Sequence, residues 1–346
     1  MGKPTIRDVA VEARVSLGTA SRVANQHQGV NAEMKRRVER AIRKLNYTPD
    51  ASAQSMRLRS TRTVGILIRD LSSPAFASFA NVAQSMLFQA GYVPLMAGYN
   101  DLQERELEIL HAFAQRRIDG LIVTMSKDSN PAVARARAKL GVPTILFDRD
   151  PELGQDAIAI DHCDGVKQAM RYLFGLGHQR IALITGQRGV RPARERIRGY
   201  KEAHLEARIA TDPTLIRDSS FSAEYAFAET SALLRSRKRP TAIIVGGVNM
   251  LPGTLRAIRA IGLAIPDDIS IIGATNSELC ELVTPSITEL RVDYPAIGSA
   301  ASTLMLGRLQ GTVDGGPRVL SFETSLIRRE SCAPPPARRR GPRPAK

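Results

Sequence analysis

Three cysteines in 346 residues, Cys163, Cys280 and Cys332, form no CxxC pair and are odd in number. That argues against both a zinc cluster and a disulfide framework and leaves them as buried or incidental thiols. Five histidines, at 27, 111, 162, 178 and 204, sit in no recognisable nucleophile or metal constellation. Gly186-Gln-Arg-Gly189 lacks the glycine spacing of a phosphate loop. No enzyme, cofactor or metal is therefore expected. No run of about 18 apolar residues occurs, so no membrane span is expected. Residues 1–11 carry charges where an export signal needs its apolar stretch. The expected location is the cytoplasm, which argues against an exported solute-binding protein.

The net charge of +15 is unevenly placed. Residues 1–60 carry +7 and residues 331–346 carry +5, which leaves +3 for the 270 between them. A basic head on a nearly neutral body is the footprint of a polyanion partner. A purely architectural DNA protein would not carry so large a non-basic body. Hydrophobic residues make up 43% of the chain, enough for a sizeable core in two domains or three.

The head reads as short helices. Thr5-Ile6-Arg7-Asp8 is a capping-box pattern, and Ile6, Val9, Ala10 and Ala13 follow at helical spacing. Ser16 can cap a second helix running to Ala24, with Val15, Ala20 and Val23 for the core and Thr19, Ser21, Arg22 and Asn25 left exposed. Asn31 can cap a third, with Met34, Val38, Ala41, Ile42 and Leu45 on one face. Together these form a helix-turn-helix unit. Hydroxyls and an arginine on the outer face of the second helix suit phosphates and guanine edges.

From Val64 the pattern becomes alternating strands and helices. Strands are expected at 64–68, 94–97, 120–124, 142–147, 181–184, 241–245, 269–272 and 321–329. Helices are expected at 75–90, 104–116, 165–174, 194–205 and 253–261. Near-continuous apolar strands indicate parallel sheets covered by helices. The number of units points to two doubly wound lobes, with a ligand cleft at the carboxyl ends of their strands.

The ordered motifs Thr5-Ile-Arg-Asp-Val-Ala10, Val15-Ser16, Thr19-Ala-Ser21-Arg22-Val23 and Asn46-Tyr47-Thr-Pro49 resemble the head of the lac-repressor family. Arg117-Ile-Asp119-Gly120, Gly175-Leu-Gly177-His178, Arg196-Ile-Arg-Gly199-Tyr200, Ile265-Pro-Asp267-Asp268 and Pro285-Ser-Ile-Thr288 resemble its body. The resemblance implies an α/β protein with a helix-turn-helix headpiece and a two-lobed, periplasmic-binding-protein-like sensing domain. It implies a transcriptional repressor that binds double-stranded operator DNA as a homodimer under control of a small-molecule effector. The expected divisions are a head at 1–49, a hinge helix and linker at 50–60, an effector-binding domain at 61–330 and a disordered basic tail at 331–346. The N-lobe would take about 61–160 and 292–321, and the C-lobe about 161–291 and 322–330. No leucine-heptad helix follows the last strand, so a dimer is expected rather than a tetramer.

Carried over residue by residue, Leu17, Gly18 and Arg22 would face bases, while Ser16, Thr19, Ser21, Asn25 and Asn31 would hold phosphates. Thr5 and Tyr47 complete the expected contact set. Gly18 replaces a longer side chain, which throws base readout onto Arg22. The stretch 50–58 resembles the family's hinge helix, with Met56 where a leucine wedge is usual and Ala53 packed one turn before. Around the interlobe cleft the resemblance points to Ser73, Phe76, Thr124, Arg149, Asp161, Arg196, Phe221 and Thr275. Phe76 and Phe221 would be flat apolar walls, or simply core residues. The family often has Ala-Asn-Asp where Gly246-Gly247-Val248 stands, and a leading carboxylate where Ala274 stands. His162 follows Asp161 where Asn is common, and Pro252 interrupts a usually regular helix start. A cleft that loses carboxylates yet keeps Arg149 and Arg196 suits a sugar acid or other anionic metabolite. The alternative is that Arg149 pairs with Asp148 or Asp150.

Overall fold

The computed structural model describes residues 4–25, 29–47, 60–150, 154–274 and 276–336. The chain divides into two compact units, with the boundary between Arg62 and Thr63.

The first unit holds α1 (Ile6–Ala13), α2 (Leu17–Ala24) and α3 (Ala32–Leu45). The capping box at α1 is complete: Thr5 N–H donates to Asp8 Oδ2 at 2.7 Å and Asp8 N–H donates back to Thr5 Oγ1. Val9, Ala10, Ala13, Ala20, Val23, Val38 and Ala41 meet in a small core, with Ile42, Leu45 and Tyr47 against its edge. Met34, expected on that apolar face, is 44% exposed. It sits in the first turn of α3, beyond the reach of α1 and α2 at the core. Expected hinge residues Ala53 and Met56 lie outside the described residues.

The second unit contains two six-stranded sheets. The first is ordered β11-β5-β4-β3-β1-β2 and the second β12-β10-β9-β8-β6-β7. In chain order the strands are β1 (Thr63–Ile68), β2 (Val93–Gly98), β3 (Gly120–Val123), β4 (Thr144–Phe147), β5 (Asp156–Ile160), β6 (Ile181–Thr185), β7 (Ile216–Arg217), β8 (Ala242–Gly246), β9 (Ser270–Gly273), β10 (Thr288–Arg291), β11 (Val319–Phe322) and β12 (Ser325–Ile327). All neighbours run parallel except β12, which is antiparallel to β10.

Helices cover both faces of both sheets. In the first lobe α4 (Pro74–Gln89) and α12 (Tyr294–Gln310) bury one face, packing on Val64, Ile66 and Ile68 of β1. On the other face α5 (Gln103–Gln115) and α6 (Pro131–Ala138) pack on Leu67, Leu121 and Leu146. The second lobe repeats the plan with α7 (His162–Gly175) and α8 (Arg191–Glu206) on one face, and α9 (Ala223–Arg235) and α10 (Leu251–Ile261) on the other. A short α11 (Leu279–Leu282) lies between β9 and β10. Burial on both faces is why the strands carry apolar residues at successive positions rather than alternate ones.

Two sequence expectations are corrected here. The single strand expected at 321–329 is two strands on different sheets, because the chain crosses between lobes at residues 323–324. The basic tail does not begin at 331: Ser331 is fully buried, accepts from Thr288 N–H at 2.8 Å and donates to Ile271 O at 2.6 Å. Ala333 O receives His178 Nε2 at 2.8 Å. Residues 337–346 lie outside the described residues.

Candidate functional site: a reading helix and an interlobe cleft

Two regions gather the chemistry, one in each unit. In the first, Ser16 caps α2 by accepting Thr19 N–H at 3.1 Å, and the two hydroxyls are 2.9 Å apart. Ala20 and Val23 are buried, while Leu17, Gly18 and Arg22 are exposed on the opposite face. Thr19, Ser21 and Asn25 are half-buried rather than exposed as expected. The reason is local: Asn25 Nδ2 donates to Ser21 O at 2.6 Å, and Thr19 belongs to the cap. Thr5 and Asn31 are exposed caps of α1 and α3, and Tyr47 is half-buried against the head core.

In the second unit the carboxyl ends of the two sheets face each other, and the loops leaving them meet. Ser73 is fully buried ahead of α4, and its hydroxyl has no hydrogen-bond partner among the described residues. Phe76 stands edge-on to Phe147 at 5.9 Å and to Tyr294 at 6.2 Å, so it belongs to an aromatic cluster as much as to a wall. Thr124 is buried 3.4 Å from Tyr99 Oη. Arg149 donates to Met125 O at 2.8 Å and Asp148 O at 2.7 Å, and its carboxylate neighbour is Asp128 at 3.3 Å, not Asp148 or Asp150.

From the opposite lobe comes Arg196, only 7% exposed and with no hydrogen bond to a described residue. Burial holds its guanidinium below the ordinary arginine pKa, with Asp148 and Tyr294 pulling the other way. It borders a cavity of about 10 Å³ together with His162, Asn276 and Tyr294, room for a single water. The Phe221 ring lies against Gly186 and Gly247, where a Cβ on Gly186 would come within 2.0 Å of it. Arg69 of the first lobe stacks over that ring at 5.6 Å, a cation–π contact across the cleft. Asp161 is not a wall: it is exposed and caps α7 by accepting Asp164 N–H at 2.8 Å. Thr275 lies outside the described residues.

The lobes are bridged by polar contacts as well. Asp148, buried, accepts His162 Nε2 at 2.8 Å and faces Arg191 Nη1 at 3.3 Å. Burial alone would raise its pKa, but His162, Arg149 and Arg191 hold the carboxyl down at about 2. Burial keeps His162 below its ordinary value, with Arg196 adding to the effect, so it donates to Asp148 as neutral imidazole. Asn249 pairs with Asp70, Gln187 Nε2 donates to Ser126 O at 3.1 Å, and Arg194 reaches both Asp128 and Asp150.

Residues 5–50 match the family model described as bacterial regulatory proteins, lacI family, and residues 170–332 match a periplasmic binding protein-like domain. The HTH-type transcriptional repressor PurR of Aliivibrio fischeri is 30% identical over 330 residues, spanning 94% of this chain and 98% of that protein. The chain belongs to the lacI family. Members of this family named among its relatives are transcriptional repressors rather than enzymes. Among solved structures, the lac repressor dimer bound to operator and the anti-inducer ONPF is similar at a TM-score of 0.83 and 28% identity, covering 96% of this chain and all of that one. The regulator CelR in complex with cellobiose is similar at 0.73 and 28%, covering 95% and 99%.

Within this lacI-family chain, Pro252 causes no break: it falls in the first turn of α10, where its missing N–H costs nothing. Sequence reasoning missed Asp128, Arg191, Arg194, Asn249 and Tyr294. The signal for the arginines was present in the run Arg188, Arg191, Arg194, Arg196 and Arg198. Asp128 and Asn249 sit on loops with no pattern to single them out. Among the described residues no group of side chains could hold a metal ion, and no helix is long and apolar enough to cross a membrane.

Proposed function

We propose that this chain is a dimeric repressor that reads a pseudo-palindromic operator through α2 and answers an anionic metabolite held between its lobes. The observation that carries the DNA reading is the split of α2 into a buried face, Ala20 and Val23, and an exposed face of Leu17, Gly18 and Arg22. Arg22 is the one side chain of those three able to form paired hydrogen bonds with a guanine edge. Ser16, Thr19, Ser21, Asn25 and Asn31, with Thr5 and Tyr47, are assigned to phosphate contacts around it. Ala53 and Met56 are assigned to a minor-groove wedge.

The effector reading is supported by Arg196. A buried guanidinium without a hydrogen-bonded partner carries an unmet demand for an acceptor, and a carboxylate or phosphate meets it best. Ser73, with its orphaned hydroxyl, Thr124, Arg149, Phe76 and Phe221 are assigned to the same ligand, and the resemblance adds Thr275 to the assignment. Binding that differs between parted and closed lobes by about 1–3 kcal/mol would shift operator affinity roughly 5–150-fold.

A thermal-shift screen of the full chain against neutral sugars, sugar acids and sugar phosphates tests the effector class. At 100 times its dissociation constant a ligand adds about 2.7 kcal/mol of stability. An acid or phosphate is expected to give the largest shift, and Arg196→Ala to abolish it. A neutral sugar that stabilises while every acid fails would overturn the anionic reading and leave the DNA reading standing.

A further inference from the structure

Asp128 follows β3 in the first lobe, yet its carboxylate is held mainly by the second. Oδ2 accepts the N–H of Arg191, the first residue of α8, at 2.7 Å, and Arg194 Nη2 at 2.6 Å. Arg149 Nε lies 3.3 Å from Oδ1, and the Asp128 side chain is 10% exposed. The backbone joins the same seam, with Asp128 N–H donating to Gly189 O at 2.9 Å. A helix amino end flanked by two guanidinium groups is the donor set that binds carboxylates and phosphates. Here the anion in that place is the protein's own.

Arg149, Arg191 and Arg194 face Asp128, Asp148 and Asp150, and Arg191 also reaches Glu195 at 3.9 Å. Removing Asp128 leaves an open N–H donor at the start of α8 and takes a carboxylate from Arg194 and from Arg149, whose side chain is 6% exposed.

We propose that the amino end of α8, with Arg194 and Arg149, is an oxyanion-binding site for which Asp128 is the built-in occupant. Closure of the lobes and capture of an external carboxylate or phosphate group at this point then exclude one another. The ligand-free protein closes on itself, and an anion that takes this place stabilises the parted arrangement. The site shares Arg149 with the residues assigned to the effector but does not involve Arg196, and it does not require the ligand at Arg196 to be anionic.

Thermal unfolding of the full chain at matched ionic strength, in chloride, formate or inorganic phosphate, tests it. Wild type sets the general effect of each anion on the midpoint, which for phosphate is stabilising. Asp128→Ala vacates the site, so formate or phosphate should raise its midpoint over chloride by roughly 1.5 °C more than in wild type, the size of shift about 1 kcal/mol gives in a protein of this length. Asp128→Asn keeps an acceptor for Arg191 N–H without the charge and should fall between; it carries the comparison if the alanine variant does not fold. Adding Arg194→Ala should erase the gain, whereas adding Arg196→Ala should leave it, which separates this site from the proposed effector cavity. Equal anion response in wild type and both Asp128 variants, or a gain that survives loss of Arg194, overturns the proposal.

Discussion

Arg22 projects from the exposed face of α2 with its Nη2 3.9 Å from the point where a Cβ on Gly18 would stand. The guanidinium thus leans over the gap that glycine leaves, and base discrimination concentrates on one side chain. Replacing it, Arg22→Ala, should cost about 1–3 kcal/mol of operator affinity and relax selection at one base pair. Titration against the operator and its single-substituted versions measures both. Gly18→Ala meets no clash, since 3.9 Å is ordinary contact, and should stabilise the first unit by up to about 1 kcal/mol; chemical unfolding of the head reads that gain. The faces of α2 were legible in the sequence because burial there follows the helical period. Thr19, Ser21 and Asn25 were not, since their short polar side chains bond to their own helix and sink toward it. Arg149 misled for a related reason: the aspartates on either side of it turn away to Arg191, Arg194 and His162.

Pairs of helices in the second lobe approach closely enough that one backbone touches another. A Cβ on Gly253 of α10 would lie 2.0 Å from the Ala223 carbonyl oxygen of α9. No rotamer change relieves a backbone clash, so Gly253→Ala should cost about 1–3 kcal/mol or more of unfolding free energy, measurable by denaturant titration without effector or DNA. Strands flanked on both faces were readable from continuous apolar runs. The same reading passed over β7, which has two residues, and β5, which follows a charged loop. It also passed over α12, whose buried residues Tyr294, Ile297, Gly298, Ala301, Leu304 and Met305 do share one face. Ala296, Ala300, Leu306 and Leu309 elsewhere on the helix are small or apolar too, so little polarity contrast marks the stripe.

Across the whole molecule, three histidines, His162, His178 and His204, are buried and held below their ordinary value of 6.5, burial being the main cause in each. The native state keeps them neutral, so below pH 6.5 the unfolded chain takes up protons that the folded chain refuses. The stability they provide is complete above that pH and is lost as pH falls through it. The melting temperature of the second unit should therefore drop between pH 7 and pH 5, and His162→Gln should flatten part of that slope. Asp148 does not contribute in this range, because it stays ionised down to about 2. The cleft as a whole was less legible than the fold. Its walls depend on which loops meet across two lobes, and spacing along the chain carries no record of that.

The interleaving of the sheets also sets an order on biosynthesis. The first sheet needs β11, which ends at Phe322, and the second needs β12, which ends at Ile327. A chain emerging from the ribosome can close its head early, but neither lobe has its full complement of strands until nearly the last residue has been made. For most of translation the apolar faces of both sheets must wait unfinished, so a stop codon anywhere before residue 319 truncates both lobes at once, not one.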